Sequence, residues 1–135
     1  MRITVIDGHG GRLGQSLVER IVSSFPEADL TAVGINGAAT QAMIKGGATK
    51  AATGENAVIV ACRNADVIVA PLGVAIADSM LGEVSPAIAR AVGTSRAFRI
   101  LIPMNLCDTY VPGVNGTASE LIQDAMDQIR RRMEK

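Results

Sequence analysis

The stretch Gly8-His9-Gly10-Gly11-Arg12-Leu13-Gly14 gathers four glycines, the chain's one histidine and an arginine within seven residues, directly after the apolar run Ile3-Thr4-Val5-Ile6 and Asp7. Glycines at a strand-to-helix junction allow left-handed turns and let a ligand come up to the main chain. The free N–H groups at the helix start then face an anion. The chemistry expected here is capture of a phosphate by main-chain amides. The spacing departs from the dinucleotide fingerprint: Gly8 and Gly10 call for a third glycine where Leu13 stands, and Gly11 and Gly14 call for one at His9. The loop is one residue longer than the common form.

Three side chains could act with those amides. Asp7 would repel a phosphate unless it caps the loop, pairs with Arg12 or is bridged by a metal. Loop capping or the Asp7–Arg12 pair is the expectation, and no metal is expected. His9, set among glycines, is a candidate for ligand contact or acid–base work. NAD-binding folds place a carboxylate about 20 residues beyond the glycines to hold the ribose. Counting from Gly14 reaches Gly34-Ile35-Asn36 instead, so NAD, NADP, FMN and a mononucleotide all stay open, with Asn36 and Thr40 as possible ribose contacts.

These groups need elements to position them. Residues 2–7 read as a strand. Leu13, Leu17 and Ile21, with Val18 and Val22 beside them, recur at helical spacing until Pro26. Residues 30–35 read as a second strand, 38–45 as a helix, 48–52 as a short third strand, and 55–65 as a helix capped by Thr53. The clearest buried strand is 66–70, followed by the turn Pro71-Leu72-Gly73 and a short helix over 74–80. Ser85, Pro86 and Gly93 bracket another helix. A fifth strand spans 98–102, Tyr110-Val111 reads as a short edge pairing, and Thr117-Ala118-Ser119-Glu120 is a capping box for a last helix with Ile122, Met126, Ile129 and Met133 on one face. Strands alternating with helices imply a parallel sheet covered on both faces. The expected fold is therefore one α/β domain over residues 1–135, a Rossmann-like doubly wound three-layer sandwich with about five strands in the order 3-2-1-4-5.

In such a sheet the carboxyl ends of the strands form one rim, and ligands lie across the switch point beside the first strand. The rim holds Asp7 to Gly11, Asn36, Thr53, Gly54, Pro71 to Gly73, and Met104-Asn105. Candidate ligand contacts are Gly8, His9, Gly10, Gly11, Arg12, Leu13, Gly14, Asn36, Thr53, Gly54, Pro71, Gly73 and Asn105. Candidate reacting groups are His9, Asp7 and Asn105. Asp78, Ser79 and Glu83 cluster after the fourth strand and could face the rim, but with no hydrolase elbow, zinc motif or phosphate-loop lysine beside them they read first as solvated helix-end residues.

Thirteen basic and thirteen acidic residues cancel, so no global field favours nucleic acid or an anionic membrane, and low net charge leaves room for a homo-oligomer. Hydrophobic residues make up 48% of the chain and aromatic ones 2%, so the core is built from Ala, Val, Ile, Leu and Met. The most apolar stretch, 57–81, is broken by Arg63, Asn64, Asp66, Pro71 and Asp78 and cannot span a bilayer. Cys62 and Cys107 show no metal-ligand spacing and read as reduced thiols. With no signal-peptide pattern at the start, this suggests a cytoplasmic protein. The Arg130-Arg131-Arg132 run reads as a solvated helix end.

The runs VIDGHGGRLG, GINGAAT, GATKAATGENA, ADVIVAPLGVAIADSMLGEVSP and ILIPMNLC resemble a family of short bacterial cytoplasmic proteins of unknown function with a Rossmann-like fold. The resemblance spans nearly the whole chain and implies a single domain with nucleotide-type binding, but carries no activity over. Three functions compete: a binder of a phosphate-bearing nucleotide or dinucleotide; a small reductase or transferase working as an oligomer; and a non-catalytic scaffold assembling through the last helix or residues 74–81.

Overall fold

The computed structural model describes residues 1–104 and 108–135. Along the chain run β1 (Arg2–Asp7), α1 (Arg12–Ser24), β2 (Asp29–Gly34), α2 (Gly37–Lys45), β3 (Ala51–Thr53), α3 (Glu55–Asn64), β4 (Val67–Pro71), α4 (Pro86–Thr94), β5 (Phe98–Ile102) and α5 (Ala118–Met133). All neighbouring strands are parallel, and their order is β3-β2-β1-β4-β5. The expected doubly wound sheet is therefore observed. Register brings the strand ends level: Asp7 lies opposite Gly34, Gly34 opposite Thr53, and Pro71 opposite Ile102.

Strand alternation divides the core in two. Ile3, Val5, Val67 and Val69 pack on the face covered by α1, α2 and α5, through Leu17, Ile21, Met43, Met126 and Ile129. Ile6, Ile68 and Ala70 pack on the other face, against Val58 and Cys62 of α3 and Ile88 and Val92 of α4. Each fully buried Ile, Leu or Val contributes about 1.5–3 kcal/mol.

The Thr117–Glu120 capping box forms in both directions, and Ile122, Met126 and Ile129 are all buried. The last helix therefore packs most of its apolar face inside its own domain, and of the four residues on that face Met133 stays exposed. Its basic end does more than meet solvent. Arg130 lies 5.4 Å from the Phe25 ring centroid and Arg132 3.5 Å from that of Phe98.

Five local expectations are corrected. The third strand is Ala51–Thr53, shifted because Ala48 turns inward to the core. Gly54, at φ 105°, caps α3 in place of Thr53, whose hydroxyl instead meets Thr40 Oγ1 at 2.7 Å. Residues 74–80 form no α-helix. A 3-10 turn over Leu72–Ala75 gives way to an irregular loop because Ser79 Oγ donates back to the carbonyls of Gly73 and Ile76, competing with helical bonds. Gly93 lies within α4 and does not end it; Ser95 follows as the C-cap. Tyr110 is 86% exposed and pairs with no strand among the described residues. Among those residues no helix is long and apolar enough to cross a membrane.

Candidate functional site

β1 delivers Asp7 to the rim with its side chain turned inward, 4% exposed. Oδ1 accepts the Gly8 amide at 2.8 Å and Oδ2 the Gly14 amide at 2.7 Å, so one carboxylate ties the start of the loop to the first turn of α1. Loop capping is thus the observed role, and Arg12 is exposed with no ion pair to Asp7 among the described residues. Burial pushes the Asp7 carboxyl above its ordinary range, more than the two amide bonds pull it down. Both oxygens are thus engaged inside the protein, where they hold the loop together.

The turn is tight. His9 and Gly11 are left-handed, at φ 47° and 73°, and the Gly11 amide closes on the Gly8 carbonyl at 2.9 Å. Gly11 and Gly14 are demanded by the fold, and Gly8 leaves room for the Glu83 side chain. A Cβ on Gly11 would stand 2.6 Å from Ala39 Cα of α2, one on Gly14 would stand 2.8 Å from Asp7 Cβ and Met43 Sδ, and one on Gly8 would collide with the Glu83 carboxylate. Gly10 differs: its φ is not left-handed, it is exposed, and a Cβ there would meet nothing within 4 Å.

Glu83 is the residue that sequence reasoning assigned wrongly. The loop between β4 and α4 swings it over the glycines, where Oε1 accepts the His9 amide at 2.7 Å and Oε2 accepts Asn36 Nδ2 at 2.8 Å. Asn36 also donates to the His9 carbonyl at 3.0 Å and accepts the Ala39 amide at 2.8 Å as N-cap of α2. Both Nδ2 hydrogens are therefore committed to the protein, while Oδ1 accepts one amide and keeps a second lone pair. The loop holding Glu83 is strained: Asp78, Met80 and Leu81 are left-handed as well as Gly82. Buried Met80 and the Asp78 amide bond to the Val84 carbonyl, 2.7 Å, keep it in place. A glycine followed by an acid after an apolar pair was the only sequence signal, and it reads equally as a solvated turn.

The expected cradle of open amides is therefore partly filled by the protein itself. Gly8 and Gly14 serve Asp7, and His9 serves Glu83. The amides of Gly10, Arg12 and Leu13 donate to no acceptor among the described residues. Leu13 points its side chain into the core, leaving only its main chain at the rim. Elsewhere, Thr40 is buried and bonds Thr53, the Gly54 amide closes on Gly34 O at 2.9 Å, Pro71 ends β4, and buried Gly73 gives its carbonyl to Ser79. Of these positions only Thr53, exposed and bonded once through its hydroxyl, keeps a polar side chain with spare capacity. His9 is exposed and contributes main-chain bonds only. Asn105, the remaining candidate, lies outside the described residues, as does Cys107.

A comparison with curated proteins finds no match. The family model described as a domain of unknown function, DUF3842, matches residues 2–134, and the chain belongs to that family.

Proposed function

We propose that the protein binds a small phosphate-bearing molecule of nucleotide type at the rim above β1 and β4, with the phosphate on the amides of Gly10, Arg12 and Leu13 and beside the Arg12 guanidinium. Gly10 carries this reading. The fold accounts for every other glycine of the loop, whereas Gly10 is left without a steric or conformational need and stands next to amides without an acceptor. A glycine of that kind suits close approach of a ligand to the main chain. The Arg12 and Leu13 amides belong to the first turn of a 13-residue helix with no acidic residue in that turn.

The arrangement favours a mononucleotide over NAD or NADP. A dinucleotide in the usual path runs past the end of β2, where both Asn36 amide hydrogens are already bonded and Glu83 crosses between Gly8 and Asn36. The Glu83 carboxylate also repels a nearby phosphate, so its release from His9 would accompany tight binding.

Thermal shift against AMP, ATP, FMN, NAD, NADP and inorganic phosphate at millimolar concentration tests the reading. Stabilisation by at least one nucleotide is expected by mass action, reduced in Arg12→Gln and increased in Glu83→Gln. No shift with any of them in either the natural protein or Glu83→Gln overturns it.

A further inference from the structure

A cavity lies far from the glycine loop, in the groove between the later half of α3 and the length of α4, at the end of the sheet where β4 and β5 begin. Helical spacing builds it. Ile59, Cys62 and Arg63 share one face of α3, and Ala87, Arg90 and Ala91 share one face of α4. Two alanines one turn apart keep the α4 wall low, which leaves a space of about 470 Å³ with an apolar floor. That falls within the size range of small-molecule sites, roughly 300–1,000 Å³.

The charge around this floor is all of one sign. Arg63, Arg90 and Arg96 line the groove, no carboxylate does, and none of the three guanidiniums is in an ion pair among the described residues. In a chain whose 13 acids balance 13 bases, three cations around an apolar floor without an acid form a local excess. The hydroxyls nearby are spent on the protein: Thr94 donates to Arg90 O, and Ser95 bonds Cys62 O and the Ala97 amide. The arginines are thus the donors available to an incoming group, and guanidinium forks fit carboxylates, phosphates and sulfonates. Helix-end electrostatics accounts for Arg63 in the last turn of α3 but not for Arg90 in the middle of α4.

We infer that this groove is a second binding site, for a small molecule that joins a flat apolar body to an anionic group. The apolar body covers Ile59, Cys62 and the alanines, and the anion sits among the three arginines. The inference is independent of the glycine loop.

The test uses the full chain and 1-anilinonaphthalene-8-sulfonate, an apolar body with one sulfonate, followed by fluorescence. Saturable binding at one site is expected. The triple variant Arg63→Gln, Arg90→Gln, Arg96→Gln should bind about tenfold to a hundredfold more weakly, the loss expected for charge-assisted hydrogen bonds. Ala87→Trp, which fills the groove and keeps every arginine, should weaken binding similarly, and Arg131→Gln, on α5, should not. A neutral phenylnaphthylamine should bind the natural protein and the triple variant alike. Thermal unfolding confirms that each variant is folded; if the triple variant is not, Arg90→Gln alone serves, with a severalfold loss expected. Absence of saturable binding to the natural protein, or arginine variants that bind the sulfonate as it does, overturns the inference and leaves the arginines as solvated surface groups.

Discussion

The Glu83 carboxylate sits where a side chain on Gly8 would have to go: an added Cβ would overlap Oε1, while the same oxygen accepts the amide of the next residue, His9, at 2.7 Å. Gly8 is therefore a glycine because of an acid 75 positions later in the chain, and not because of its own backbone angle. Gly8→Ala should push the Glu83 carboxylate off the His9 amide and cost about 1 kcal/mol, the net worth of one hydrogen bond. In a Glu83→Ala background the same change should cost markedly less, although Met80 Sδ, 3.0 Å from the added Cβ, keeps it above zero. Denaturant unfolding of the four proteins in this cycle measures the coupling. Equal costs in both backgrounds would show that Glu83 does not set the need for Gly8.

Neighbouring glycines should respond in opposite ways. Gly11→Ala forces a left-handed alanine against the α2 backbone and should cost more than about 2 kcal/mol. Gly10→Ala, with open space and an ordinary φ, should leave stability within about 0.5 kcal/mol of the natural protein. If the phosphate reading holds, Gly10→Ala nonetheless weakens nucleotide binding in the thermal-shift assay. A large stability loss in Gly10→Ala would instead return Gly10 to the fold and remove the observation that carries the ligand.

The architecture was legible because it rests on short-range regularities. Four-residue spacing in Leu13, Leu17 and Ile21, the Thr117 capping box and the Ser85-Pro86 start each declare themselves within one helical turn, and the sheet order follows from alternation. The loop glycines were legible as a junction. What filled the junction was not, because Glu83 reaches His9 across 74 positions and Asn36 across 47. No periodicity encodes a contact of that range. The segment 74–80 misled for a related reason: its composition suits a helix, but Ser79 bonding back to Gly73 and the Asp78–Val84 amide bond impose a tight loop instead. The aromatic contacts of Arg130 and Arg132 were likewise hidden, since their rings come from the end of α1 and from β5.

That loop stores removable strain. Leu81 is left-handed at φ 58° and 97% exposed, so its side chain stabilises little while its backbone costs about 1 kcal/mol. Leu81→Asn, a residue that tolerates this conformation, should raise stability by about 0.5–1 kcal/mol in denaturant unfolding. A loss of stability would mean that Leu81 is covered in solution, which light scattering on both proteins would reveal as self-association.

Asp7 should give the stability profile a sign opposite to that of most acids. Its folded carboxyl titrates above the unfolded value of 3.8, chiefly because it is buried. Below pH 3.8 the group is protonated in both states. As pH rises from there through the folded value the unfolded chain ionises first, and stability falls. Asp66, lowered by its bonds to the Arg2 amide and side chain, acts the other way and loses its contribution as pH falls. Comparing melting temperatures of the natural protein and Asp7→Asn across acidic pH isolates the first effect. The natural protein should fall relative to the variant as pH rises from about 4; a relative gain would mean that the two amide bonds outweigh burial.

Cys62 offers the last check on the core beneath the second groove. It is buried on α3, and burial pushes its thiol up to about 11 from an ordinary value of 9.0. Folding therefore favours the protonated thiol, so its contribution is complete below pH 9 and is lost as pH rises through about 11. Chemistry at the sulfur should be slow in the folded state because the thiolate is the reacting species. In a Cys107→Ser background, where Cys62 is the one remaining thiol, Ellman's reagent at pH 8 should label the folded protein far more slowly than the denaturant-unfolded one. Labelling at the unfolded rate would mean that the floor between α3 and α4 opens readily, which would also weaken the case for a fixed apolar surface under the three arginines.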